Sequence, residues 1–147
     1  MATYVLGMNA GLYQGPAGST SPSSMSEVDN VRDVTLSLEA GEADITTRGN
    51  SGWRATAPTL RECSVEFQMV WRPGDTVFEA IKAAFLSAGT VALAVLDQKS
   101  SVSGAQGPLG DFSITNFSRN EALEEAIVAD VTAKLALFVE WHEVGGV

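Results

Sequence analysis

The sequence has a single cysteine, a single histidine, no long apolar run, and half as many basic residues as acidic ones. Each shortage removes a class of function. Cys63 has no partner for an internal disulfide and no histidine near it in sequence, so it reads as a small apolar filler rather than a nucleophile. One histidine, His142 near the C-terminus, and one cysteine make a poor ligand set for a metal. A Ser-His-Asp site would have to draw on that same His142, and no Gly-x-Ser-x-Gly turn accompanies it. Carboxylate pairs for glycoside hydrolysis are defined by their separation in space, so 18 acids in a sequence carry little information about them. The acids Glu27, Asp29 and Asp33 do not follow calcium-loop spacing and read as a solvated rim. No enzyme, cofactor or metal is expected. No stretch approaches the roughly 18 consecutive apolar residues of a membrane helix. Met1–Gly7 lacks a positive region and a cleavage signature, so synthesis in a cytoplasm without a secretory signal is expected. Nine Lys and Arg against 18 acids give a net charge of −9, which argues against a surface that grips phosphates. Two readings of that charge stay open: solubility alone, or a face that must lie close to a polyanion without holding it.

What is present is alternation. Apolar residues recur at every second position in Val34–Leu38 and again in Val65, Phe67, Met69 and Trp71, the pattern of strands with one buried and one polar face. Between them Glu39–Glu62 has no apolar stripe and carries Gly41, Gly49 and Gly52. A connection so long inside one domain is usually functional, and this one is expected to order only on assembly. Tyr4–Tyr13 reads as a first strand, and Gly15–Ser24 and Gln98–Gly110 as loops; the first of these lacks the Lys of a phosphate-binding loop. Thr90–Asp97 is apolar on both faces and should be an interior strand. In Asp111–Ser118 the position of Phe117 breaks parity and predicts a bulge. Asn120–Ala126 reads as a connector. Ile127–Trp141 alternates, with Val131, Ala133, Leu135, Leu137, Val139 and Trp141 on one face and Asp130, Thr132 and Lys134 on the other.

One helix is expected over about 75–88. Thr76 and Glu79 fit a capping box, Phe78, Ile81, Phe85 and Ala88 form an apolar stripe, and Gly89 supplies a left-handed stop. Truncating Phe85 in a core would cost about 3–5 kcal/mol. The chain, 1–147, therefore reads as one mainly-β domain, a sandwich or barrel with a flanking helix and a long loop or arm at 39–62.

Several of these runs carry a resemblance. Asp33-Val34-Thr35-Leu36, Glu42-Ala43-Asp44-Ile45-Thr46-Thr47-Arg48, Gly52-Trp53 and Ser64-Val65-Glu66-Phe67 resemble the major tail tube proteins of long-tailed bacteriophages, with a looser likeness from about Tyr4 to Leu137. The resemblance implies a structural virion protein whose copies form stacked hexameric rings, their inner sheets fusing into one barrel that conducts DNA at ejection. It implies no reaction. Its partners would be itself, other tail proteins at the tube ends, and genomic DNA passing without specific binding; no membrane insertion is expected. On this reading Glu66 and Gln68, then Thr35, Ser37, Asp130, Thr132 and Lys134, are candidates for the lumen wall. Glu42, Asp44, Ile45, Thr46, Thr47, Arg48, Trp53 and Arg54 belong to an inter-subunit arm. The tail 140–147 lies beyond the likeness and receives no role. Two alternatives remain at this level. One is the tube of a secretion or contractile injection apparatus; the other is a monomeric β-sandwich binding module, carbohydrate-binding for instance, that would use Trp53, Trp71 and Trp141 as a stacking platform.

Overall fold

Period-two alternation becomes seven antiparallel strands of one sheet in the computed structural model, which describes residues 6–121 and 123–145. The strands are β1 (Gly11–Pro16), β2 (Ser26–Glu27), β3 (Val31–Asp44), β4 (Thr56–Val70), β5 (Thr90–Leu96), β6 (Gln106–Asn120) and β7 (Val128–Glu143), in the spatial order β2-β1-β5-β6-β7-β4-β3. One helix, α1 (Thr76–Ser87), joins β4 to β5. The sheet curls so that its two ends share a core. Leu12 of β1 and Val91, Leu93 and Val95 of β5 pack with Val65, Phe67 and Met69 of β4 and Val131 and Ala133 of β7. Register slips in the β6–β7 ladder, at Leu109/Gly110, Asp111/Phe112 and Ile114/Asn116, are the bulges that bend both strands from one half of the sandwich into the other. The bulge foreseen from Phe117 lies at Thr115.

The interior strand is as expected: Val91–Leu96 are all buried. Val91, Leu93 and Val95 serve the main core, while Ala94 and Leu96 pack with Tyr13 and Leu109 on the other face. Helix α1 closes one open side through Val77, Phe78, Ile81 and Ala84.

Details of the ends differ from the sequence reading. The first strand starts at Gly11, after a turn of 3-10 helix at Gly7–Asn9; Tyr4 and Val5 lie outside the described residues. The first loop yields Gly15 and Pro16 to β1, and the second stops before Gln106. Asp75, not Thr76, caps the helix, its carboxylate accepting from the Phe78 amide at 3.1 Å. Glu79 accepts from the Gly74 amide at 3.2 Å and pairs with Lys82 at 2.7 Å. Lys82 and then the Gly74 amide hold its carboxyl below the ordinary range. The left-handed stop is Ala88 (φ 58°), one residue early, whose amide donates to the Ala84 and Phe85 carbonyls. Phe85 is 39% exposed and only stacks on Phe117, centroids 6.2 Å apart, while Ala84 takes the buried place. The helix turns Phe85 toward its rim because the buried arc runs through 77, 78, 81 and 84.

In β7 the unpaired Ala136 reverses parity, so Leu137 pairs with Asp111 and leaves the face that Leu135 shares with Phe112. Leu137 is exposed, against expectation. The tail from Glu140 to Glu143 is not an appendage: it completes the ladder with Gln106–Leu109, and Val144 exchanges backbone hydrogen bonds with Gly104 and Ala105. Gly146 and Val147 lie outside the described residues.

Gly107 shows how closely β6 crosses β5. A Cβ there would run into the Val95 carbonyl, and backbone cannot step aside as a side chain can. Gly107→Ala is expected to destabilise the fold by about 1–3 kcal/mol. Gly7→Ala, whose added carbon meets nothing within 4 Å, should stay within about 0.5 kcal/mol. Paired denaturant titrations check the contrast, and equal midpoints would refute it.

Candidate functional site

Direct pairing across antiparallel strands puts side chains on the same face, so register alone assembles a surface from β3, β4, β7 and the second half of β6. Thr35 pairs with Glu66, Glu66 with Thr132, and Thr132 with Asn116, making one row across four strands. Arg32, Gln68, Asp130 and Ser118 make the row on one side of it, and Ser37, Ser64, Lys134 and Ser113 the row on the other. All seven candidates for the lumen wall therefore share one polar face. The opposite face holds Val65, Phe67, Met69, Val131 and Ala133 of the core.

Glu39 opposite Glu62 adds a shorter row toward the arm. The charged members of the face are thus Glu39, Glu62, Glu66 and Asp130 against Arg32 and Lys134. Among the described residues no ion pair joins Lys134 to Asp130. Lys134 instead lines a shallow cleft of about 440 Å³ with Glu39 and Glu62. Sequence reading missed Ser64, although it has the parity of Glu66. It missed Arg32 because the β3 register slips after it, with Asp33 forced to φ 28°. Ser113 and Asn116 lie on opposite sides of the Thr115 bulge, so no simple alternation could place both on one face.

This four-stranded part has two unpartnered edges. Among the described residues no further strand lies beyond β3. β5 pairs with β6 from Leu109 to Ser113, so among the described residues Ile114–Asn120 has β7 on one side and no strand on the other.

The arm is a hairpin rather than a loop. β3 and β4 stay paired out to Asp44 and Thr56, while β7 leaves β4 at Ser64, so the hairpin projects alone. Backbone pairing needs no apolar stripe, which explains how Glu39–Glu62 holds a shape that its side chains do not advertise. The tip is pinned as well. Asp44 accepts from the Thr46 amide at 2.9 Å, the Ala55 amide donates to the Thr46 hydroxyl at 2.9 Å, and the Asn50 amide group donates to the Trp53 carbonyl at 2.9 Å. Thr46, through its side chain and then its amide, holds the Asp44 carboxyl below the usual range. That contribution is present at neutral pH and is lost as the pH falls through the depressed value. The chain thus forms a paired hairpin with a fastened tip where the sequence suggested a long loop. Glu42 pairs with Pro58 along it, Ile45 donates to Ala55, and Thr47 precedes the 3-10 turn that contains Arg48. Trp53 is 75% exposed, and Arg54 beside it is exposed.

The remaining special residues are committed elsewhere. Trp71 packs edge-on against Phe78 at 4.8 Å with the Arg119 guanidinium 5.0 Å over its ring, so the three tryptophans form no shared platform. Trp141 donates to Gln106, and His142 contacts Glu140 at 3.2 Å. Glu27 pairs with Lys99 and Asp29 with Arg72, which uses two acids of the suspected rim. Among the described residues no group of three or more potential ligands could hold a metal. Cys63 is buried opposite Leu38, and burial pushes its thiol pKa up, away from the reactive thiolate.

A continuous sheet with one polar face, two open edges and a projecting hairpin offers several surfaces through which copies could assemble. Residues 17–139 match the family model described as phage tail tube protein, and the chain belongs to that family. It is a structural component of a virion tail, not an enzyme. No curated protein matches it at a significant level. The fold is similar to that of the tail of an empty gene transfer agent particle refined with C6 symmetry (TM-score 0.75, 17% identity, covering 95% of this chain and 98% of that one). It also resembles a chain of the native gene transfer agent virion (TM-score 0.69, 17% identity, 92% and 98% covered). The SPP1 tail tube, solved by solid-state NMR and cryo-electron microscopy, is similar at TM-score 0.72 and 14% identity, with 98% of this chain and 81% of that one covered.

Proposed function

We propose that six copies of this chain close into a ring by pairing the free edge of β3 with the free Ile114–Asn120 edge of a neighbour, and that the rings stack into the tail tube. The observation that carries this is the pair of unpartnered edges on one four-stranded face. An open edge of that length invites unwanted association unless another strand covers it, and closure of a barrel is the arrangement that leaves no edge. The C6 symmetry of the gene transfer agent tail supports the number six. Four strands from each of six copies give a barrel of about 24 strands, and barrels of 16–18 already leave an aqueous channel. The polar rows around Glu66 line that channel, because their other face belongs to the core. DNA passes along this wall without specific contacts, and other tail proteins cover the exposed edges at the tube ends. The hairpin reaches a neighbouring copy.

Hydrogen exchange tests the edge pairing. In assembled tubes the outward amides of Val31–Asp44 and the unpaired amides of Ile114–Asn120 are expected to exchange at least tenfold more slowly than in monomers, a change of about 1.4 kcal/mol. Exchange at monomer rates along both edges of a microscopically verified tube rules the pairing out.

A further inference from the structure

The side of the sandwich that α1 does not close contains an open cleft of about 900 Å³. Its apolar lining includes the core residues Leu12, Val28, Val95 and Leu96 and the partly buried Leu36 packed against them. Around them stand four acids, Glu27, Asp29, Asp33 and Asp97, and two bases, Arg32 and Lys99. The cleft is therefore apolar inside, and since Glu27 is paired with Lys99 and Asp29 with Arg72, its negative rim rests on Asp33 and Asp97 against Arg32.

The hairpin tip has the opposite character. From Ile45 to Ala55 it contains Arg48 and Arg54 and no acid, and its largest side chain, Trp53, is 75% exposed. Neither arginine takes part in an ion pair among the described residues. Ile45 is exposed close by. A tryptophan flanked by cations, held out on a fastened turn, complements an acidic-rimmed apolar cleft.

The tip cannot enter the cleft of its own chain. Leu36 lies at the cleft and Asp44 at the base of the tip, and the strand between them is paired throughout to β4 apart from one slip at Gly41. Eight residues of extended strand hold the two about 26 Å apart. Only another copy can bring a tip to this cleft.

We propose that Trp53 of one copy docks in the cleft beside Leu36 and Val95 of a neighbouring copy, with Arg48 and Arg54 against the acidic rim. This rests on the tube reading above and names the receptor for its arm. The contact joins different surfaces of the two copies, so every copy gives one tip and receives one, and the contact repeats without limit along a tube. Buried tryptophan and arginine are the residue types that dominate interface energies.

A photo-crosslinking residue at position 53, in tubes assembled from an equal mixture of isotopically light and heavy chains, reads the contact directly. The expected products join position 53 to peptides containing Leu36 or Val95, with light–heavy pairs among them. Tubes that form normally but crosslink position 53 to α1, to the polar face or only within one chain overturn the docking and leave the tube reading intact. Failure of the unmodified protein to form rings or tubes by electron microscopy overturns the tube reading itself. In parallel, Trp53→Ala should raise the concentration needed for tube formation at least tenfold while leaving the monomer's melting temperature unchanged, since the side chain is exposed there. Tube formation at the concentration needed by the unmodified protein refutes the proposal.

Discussion

Phe78→Ala is expected to lower the stability of the monomer by about 3–5 kcal/mol, the usual cost of truncating a core phenylalanine. Phe78 is fully buried and lies at the centre of an aromatic group, with Trp71 at 4.8 Å and Phe117 at 6.0 Å. It is the residue through which α1 reaches the curled sheet, between Val77 and Ile81 of the same buried arc. Removing the ring leaves a cavity beside Trp71, Phe117 of β6 and the helix, and a paired strand cannot collapse into it. Phe85→Ala should cost only about 1–2 kcal/mol, because its ring is partly in solvent and loses one stacking partner. Denaturant midpoints at constant slope measure both. Equal costs for the two would mean that the helix is rotated from the arrangement described above.

That contrast also marks where the sequence stops being informative. The existence of the helix was legible, since Phe78 and Ile81 repeat at helical spacing and Asp75–Glu79 is rich in capping chemistry. Which of Ala84 and Phe85 turns inward was not, because both lie within the arc that a three-to-four step allows. Tertiary packing chose the smaller residue. Strands were legible wherever alternation ran unbroken, as in Val65–Met69 and Val128–Ala133. They were illegible across bulges, because one extra residue exchanges the faces of all that follow: Ala136 does this to Leu137 and Thr115 to Asn116.

The polar face was half legible for the same reason. Glu66, Gln68, Asp130, Thr132 and Lys134 follow from parity within two strands, but their alignment into common rows depends on a register that no single strand encodes. The hairpin is the opposite case. Its backbone pairing is indifferent to side-chain pattern, so Glu39–Glu62 looked like an irregular excursion. The open half-edge of β6 had no sequence signal at all; it arises because β5 ends its pairing at Thr90, where the chain comes out of α1.

Glu66→Lys is expected to leave the fold and the tube intact and to make tubes retain DNA. The side chain is exposed in the row Thr35–Glu66–Thr132–Asn116, and it takes part in no ion pair among the described residues. Monomer stability should therefore shift by no more than about 0.5 kcal/mol. In a hexameric tube whose wall is this face, the same substitution acts many times over. Each chain changes by two charges, so each ring gains about twelve, and successive rings place them along the path of a polyanion carrying one charge per about 1.7 Å. The described face has four acids and two bases, so the change takes it from a net charge of −2 to zero per chain, removing the repulsion of phosphates while adding one phosphate-attracting lysine per chain along the DNA path. Attraction of this kind works by releasing counterions, and the logarithm of affinity falls by about 0.9 per phosphate contact for each tenfold rise in salt. Variant tubes should consequently hold duplex DNA at about 50 mM salt and release it steeply by about 200 mM, while unmodified tubes hold none at either. Cosedimentation of labelled DNA with tubes verified by microscopy measures this. Retention no greater than that of unmodified tubes at low salt would place Glu66 away from the DNA path and reject the lumen assignment of the whole face.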